Sequence, residues 1–201
     1  RSSANPSRSN STRWKNTPSG QTNHTNQSAN DHVIATFDLN GSWLWSKFIN
    51  DPSSSRAGEP HLIATCNGVY MTGAVGGSST FHGSPTTTNA NCSAYVMRLN
   101  GSTGAMEYLA IGPGSGGGSH FVPHDITQGK DGLIHVGGSF MGTVSFGGTS
   151  IIASNGEDLF VLSLSSTLNL RKLSSASGHH DQIMSSIAAD AYGGVVISGT
   201  Y

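Results

Sequence analysis

VIATFDLNG (Val33 to Gly41), SAYVMRLNG (Ser93 to Gly101) and DLFVLSLSS (Asp158 to Ser166) share one alternation of apolar and polar side chains. Superposed, they bring Ala35, Tyr95 and Phe160 together, then Phe37, Met97 and Leu162, then Leu39, Leu99 and Leu164. A period of two with one apolar face is the mark of a strand that buries that face. Asn40-Gly41 and Asn100-Gly101 close two of the copies. That dipeptide predicts a tight hairpin turn, because both residues tolerate positive φ.

A second element also recurs three times, as IATCNGVYMTG (Ile63 to Gly73), ITQGKDGLIHVGG (Ile126 to Gly138) and IAADAYGGVVISG (Ile187 to Gly199). Each reads as a short strand, a Gly-bearing turn and a β-branched strand ending on Gly, which is a hairpin. The two hairpin types alternate along the chain, with copies roughly 60 to 65 residues apart. No window carries a 3.6-residue pattern, so an all-β repeat protein is expected.

GSFMGTVSFGGTSIIASNGEDLFVLSLS (Gly138 to Ser165) resembles the bacterial SBBP repeat, a β-propeller repeat family. Its copies read approximately GxFxGTxxFGG, then GxDxFVxKL, a Trp-bearing strand and IAxDxxGNxYVTG. NGSWLWSKF (Asn40 to Phe48) is similar to the Trp strand, GVYMTG (Gly68 to Gly73) to the YVTG strand, and IAADAYGG (Ile187 to Gly194) to the IAxDxxG hairpin. The resemblance spans residues 31–201 and implies four-stranded blades. In them the IAx segment is inner strand A, the YVTG segment B, the FVxKL segment C and the following segment, with Trp45, outer strand D.

Residues 31–201 then read C-D, A-B-C-D, A-B-C-D, A-B, about three four-stranded blade equivalents, too few to close a ring that needs about four to eight. The remaining blades of a parent chain, or neighbouring copies, are the expected partners, since an unpaired A-B edge invites an incoming strand. Residues 1–30 are rich in Ser, Thr and Asn, with no acid before Asp31. They read either as a flexible arm or as a partial blade connector, because STRWKNTPSG (Ser11 to Gly20) can be laid beside STFHGSPTT (Ser79 to Thr87). In the second case Trp14 packs like Phe81 and Phe146.

Composition narrows the function classes. Charged residues are 10% of the 201, with a net charge of −1, so the basic excess needed for phosphate-backbone binding is missing and nucleic acid is not an expected partner. Apolar residues and Gly together reach about 48%, in the range of globular chains. Every apolar run is broken well short of the roughly 18 to 20 residues of a membrane-spanning helix. Cys66 and Cys92 lack metal or redox spacing. They are expected to stay unbridged, because the blade order puts them at opposite ends of a strand of roughly 17 to 20 Å, beyond the α-carbon reach of a disulfide.

Histidine is the over-supplied functional type, with nine copies. His61, His124 and Ser185 fall two residues before the Ile of strand A, and the sequence sets His120, Asp125, His179, His180 and Asp181 in the adjoining loops. On the propeller reading His61, His120, His124, His179, His180 and Asp181 form a ligand-binding set around a central depression. The plain alternative is solvated or backbone-bonded loop histidines, and no metal site or cofactor is assigned. His135 reads as a core or inter-blade histidine. IGPGSGGGSH (Ile111 to His120) lacks the Lys and helix of a phosphate loop and reads as a flexible connector, while Glu157-Asp158 reads as a turn cap. No catalytic grouping stands out. Asn40 and Asn100 are sequons in equivalent turns and are glycosylation candidates.

The expected function is an extracellular structural or binding β-propeller module, secreted or on the cell surface as the resemblance implies, assembling through incomplete blades. The competing expectation is a metal-dependent glycan binder or enzyme using the His-rich face, in which His61, His124 and His180 converge. Carbohydrate is a candidate ligand in either case.

Overall fold

A computed structural model describes residues 31–51, 58–82, 84–87 and 92–201. The arm 1–30, with Trp14, lies outside the described residues. Fifteen strands and no helix are found among those described. A hairpin of β1 (His32–Phe37) and β2 (Trp43–Asn50) is followed by β3 (His61–Thr65) and β4 (Gly68–Val75). The short pair β5 (Ser78–Phe81) and β6 (Ser84–Thr87) leads to β7 (Ser93–Leu99) and β8 (Met106–Gly112). Then come β9 (Gly114–Gln128), β10 (Ile134–Phe146), β11 (Thr149–Ile152), β12 (Asp158–Leu164) and β13 (Leu170–Ala176). The hairpin of β14 (Ile183–Ala189) and β15 (Val195–Thr200) is last.

Two antiparallel sheets repeat one plan, in the orders β3-β4-β7-β8 and β9-β10-β12-β13. They are flanked by the hairpins β1-β2 and β14-β15. Each sheet has two apolar faces, because a neighbouring sheet packs on either side. One core joins the first pair of sheets through Ile34, Trp45, Ile49, Met71, Phe81, Tyr95, Met97 and Leu99. A second joins the next pair through Tyr70, Val96, Phe121, Val136, Phe140, Phe160 and Leu162, with Phe121 and Phe160 edge to face at 4.4 Å. Burial of each such ring contributes on the order of 1.5–3 kcal/mol.

The segments between the second and third strands of each plan, expected as connectors, are themselves strands. β5 pairs with the end of β2, Ile49 opposite Phe81. The outer half of β10 pairs in the same way with the start of β9, Val144 opposite Gly114, and carries β11 on its other side. Phe81 and Phe146, at matching places in these excursions, are both buried. Phe81 pairs with Ser84 and Phe146 with Thr149, so each is followed by a two-residue turn. In the second turn Gly147 has φ +54° and Gly148 +83°, the left-handed pair that a two-residue hairpin requires. His82 takes the place of Gly147 in the first turn, at φ +50°.

Several expectations are corrected. IGPGSGGGSH is not a loop, since β9 begins at Gly114 and pairs with β10, which also puts His120 and His124 on a strand. The Asn-Gly turns are wider than two residues. Asp38 N–H bonds Ser42 O and Asn100 N–H bonds Ala105 O, and the positive φ falls at Gly41 and Gly104. On β1 the face expected to be buried is open, with Phe37 59% and Leu39 107% exposed, whereas the equivalent Met97, Leu99, Leu162 and Leu164 are at 0%. The opposite face of β1, through Ile34, packs on the next sheet, and among the described residues no sheet covers the Phe37 face.

Candidate functional site

The first strands of three successive sheets meet at one cleft of about 410 Å³. β3 supplies His61, β9 supplies His120, Val122 and His124, and β14 supplies Ile183. Glu157, just ahead of β12, and the Gly58-Glu59 segment ahead of β3 complete the lining.

A local backbone irregularity aims one of the histidines. Along β9, Pro123 lies opposite Gly138 and Asp125 opposite Gly137, so His124 between them is the extra residue of a β-bulge. A bulge turns a side chain away from the regular alternation, and here it brings His124 to the cleft. β14 repeats the device, with Met184 opposite Gly199 and Ser186 opposite Ser198, which leaves Ser185 as its bulged residue. His61 is displaced by one position from the expected equivalence. It pairs with Thr72 as Asp125 pairs with Gly137, because the β3–β4 turn at Cys66-Asn67 is shorter than its counterparts.

His120 Nε2 lies 2.8 Å from Glu157 Oε1, both side chains being largely shielded from solvent. Burial, and then the neighbouring His61, push the His124 imidazole below its ordinary pKa against the pull of Glu157. His124 is therefore neutral at pH 7, able to offer one donor and one acceptor nitrogen. The cleft thus combines a neutral imidazole, an imidazole–carboxylate pair and the apolar flanks of Val122 and Ile183.

Of the six residues in the expected ligand set, His61, His120 and His124 line the cleft, and His179, His180 and Asp181 do not. His179 and His180 are exposed, and the His180 carbonyl accepts the Gln182 side-chain amide. Asp181 acts one step removed. Its Oδ1 accepts the Glu157 N–H at 3.0 Å while Gln182 N–H bonds Glu157 O at 2.8 Å, so the two segments hold Glu157 in place. Among the described residues no group of three or more His, Cys, Asp and Glu is placed to hold a metal ion. The expected convergence of His61, His124 and His180 is thereby corrected, since only the first two share the cleft.

Glu157 was legible in the sequence as a turn residue and not as a cleft residue. Its partner His120 is 37 positions away, a pairing that only the sheet order creates. Gly58, Glu59, Val122 and Ile183 carried no sequence signal beyond their neighbours.

His135, Asp158 and Asn100 have structural partners. His135 is buried with Nδ1 3.0 Å from Ser163 Oγ, and Asp158 accepts the N–H groups of Ser154 and Gly178. Cys66 is exposed in the β3–β4 turn and Cys92 is buried ahead of β7, with no disulfide between them. Asn40 is exposed, whereas the Asn100 side chain bonds Glu107 Oε1 and accepts the N–H groups of Ser102 and Thr103. No helix among the described residues is long and apolar enough to cross a membrane. No protein-family model matches the chain, and no curated protein matches it.

Proposed function

We propose that this chain is a β-propeller-type repeat module of the secreted or cell-surface class, serving as a structural or binding element, with the cleft as its ligand site and carbohydrate as the ligand class. The observation that carries this reading is the convergence of β3, β9 and β14, each the first strand of its sheet, on one cleft. In a propeller those strands surround the central axis, where ligand sites open. Neutral His124 and the His120–Glu157 pair suit a ligand with several hydroxyl groups, and Val122 and Ile183 suit the apolar face of a sugar ring.

The metal-dependent version draws on the three imidazoles at the cleft. It weighs less, because the described side chains offer no three-ligand group. A glycan array followed by calorimetry tests the reading. Binding that His124→Ala weakens at least tenfold, and that a chelator leaves unchanged, is the expected result. No glycan binding, or binding indifferent to both His124→Ala and Glu157→Gln, rejects the cleft as the site.

A further inference from the structure

We propose that Asn155-Gly156 is a site of spontaneous succinimide formation, whose isoaspartate product displaces Glu157 and so rebuilds one wall of the histidine-lined cleft.

The chain has four Asn-Gly pairs, at Asn40, Asn67, Asn100 and Asn155. Such a pair is open to attack of the glycine nitrogen on the asparagine side chain, because glycine has no Cβ to shield that nitrogen and bends freely. The fold restrains three of them. Gly41 N–H is occupied by Asp38 O at 3.0 Å. Asn67 N–H is held by Thr65 Oγ1 at 3.1 Å, and Gly68 is fixed opposite Thr65 in the β3–β4 ladder. The Asn100 side chain is held at both ends, its amide donating to Glu107 and its oxygen accepting the N–H groups of Ser102 and Thr103. At the fourth pair Asn155 is exposed, and among the described residues neither its side chain nor the Gly156 N–H has a hydrogen-bond partner.

The Gly156 nitrogen, losing its proton to solvent base, bonds to Asn155 Cγ as the Cγ–NH2 bond breaks and ammonia leaves with a proton from water. Water then opens the succinimide. Cleavage of its Cγ–N bond gives aspartate, and cleavage of its α-carbonyl C–N bond gives isoaspartate, with the main chain running through Cβ and Cγ and the α-carboxylate free. One water is consumed, one ammonia is released, and nothing is oxidised or reduced.

Both flanks of the pair are tied, so the extra main-chain carbon of isoaspartate must displace one of them. Ser154 N–H bonds Asp158 Oδ2 at 2.9 Å, and Asp158 is buried. Glu157 N–H bonds Asp181 Oδ1 at 3.0 Å, and Asp181 is exposed. The exposed tie yields first. Gly156 is also packed on Asp181, since a Cβ there would meet Asp181 Oδ1, so the new carboxylate arises beside one already present and repels it. Glu157, the partner of His120, moves as a result.

The test incubates the full chain and Asn155→Gln at mildly alkaline pH, folded and in urea, and maps the four peptides by mass spectrometry with fragmentation that separates isoaspartate from aspartate. In the folded chain, conversion at Asn155 is expected at least tenfold faster than at Asn40, Asn67 or Asn100, and in urea the four rates are expected to converge. Hydrogen exchange at the Glu157 and Gln182 amides is expected to quicken in the converted chain and not in Asn155→Gln treated alike. Conversion at Asn155 no faster than at the other three, a rate order that urea leaves intact, or unchanged exchange in the converted chain overturns the proposal.

Discussion

The Asp125 carboxylate on β9 is bonded to the first strand of the next sheet, its Oδ2 accepting the Ser186 hydroxyl at 2.7 Å and the Ile187 N–H at 3.0 Å, while Oδ1 accepts its neighbour's Ile126 N–H. It is a side chain-to-backbone tie between two sheets at the position next to the His124 bulge. Burial works to raise the Asp125 carboxyl, but the Ile187, Ser186 and Ile126 hydrogen bonds outweigh it and hold the group below its ordinary pKa.

Asp125→Ala is therefore expected to lower the free energy of unfolding by about 1–3 kcal/mol in urea titration, with Asp125→Asn in between. Because the folded carboxyl titrates below the unfolded one, its contribution is full above the ordinary value of 3.8 and is lost as pH falls through the lower folded value. Unchanged midpoints for both variants would show that β14 is held by packing alone.

A second buried tie joins the first sheets, where His32 Nδ1 lies 2.9 Å from Tyr95 Oη. Burial lowers the His32 imidazole and raises the Tyr95 hydroxyl, so both are neutral at pH 7. Tyr95→Phe leaves a buried ring nitrogen without this partner and is expected to cost about 1–3 kcal/mol. The double variant Tyr95→Phe/His32→Leu is expected to recover part of that cost, which a double-mutant cycle measures.

Trp45 on β2 spans to the β7–β8 turn, donating its indole N–H to Gly101 O at 3.0 Å and lying over Gly104. Gly104 has φ +66°, and a Cβ there would stand 2.6 Å from the Trp45 ring. Gly104→Ala adds left-handed strain and displaces the indole, for an expected loss of about 2 kcal/mol. Trp emission at longer wavelength in the folded variant is the accompanying signal.

Acid is expected to weaken the fold through its buried and half-buried imidazoles. His82, His32, His124 and His135 all titrate below the ordinary 6.5, with burial the leading cause in each, and His82 is lowered to about 4 by burial and then by Lys47. The unfolded chain thus binds more protons below pH 6.5, so stability is full above that value and declines toward pH 4. Thermal melts across pH 7 to 4 check the slope. His82→Gly, which installs the residue of the matching turn and removes a buried Nε2 without a hydrogen bond, is expected to add about 1 kcal/mol and flatten the slope.

Side-chain alternation makes the strands legible in the sequence. It worked for DLFVLSL, because Asp158, Phe160, Leu162 and Leu164 all bury one face. It misplaced the open side of β1, because a strand between two sheets has two apolar faces, and which is covered depends on the neighbours present. Glycine content misled at residues 114–118, where backbone pairing with β10, a non-local interaction, gave a strand to a segment of low strand propensity.

Local chemistry in the chain determined an all-β protein of two alternating hairpin types, because period and turn residues act over a few positions. Tertiary structure decided the rest, including which histidines share a cleft, that Glu157 faces His120, and that His124 sits on a bulge. Those outcomes depend on register between strands distant in sequence, where a shift of one residue sends a side chain to the opposite face.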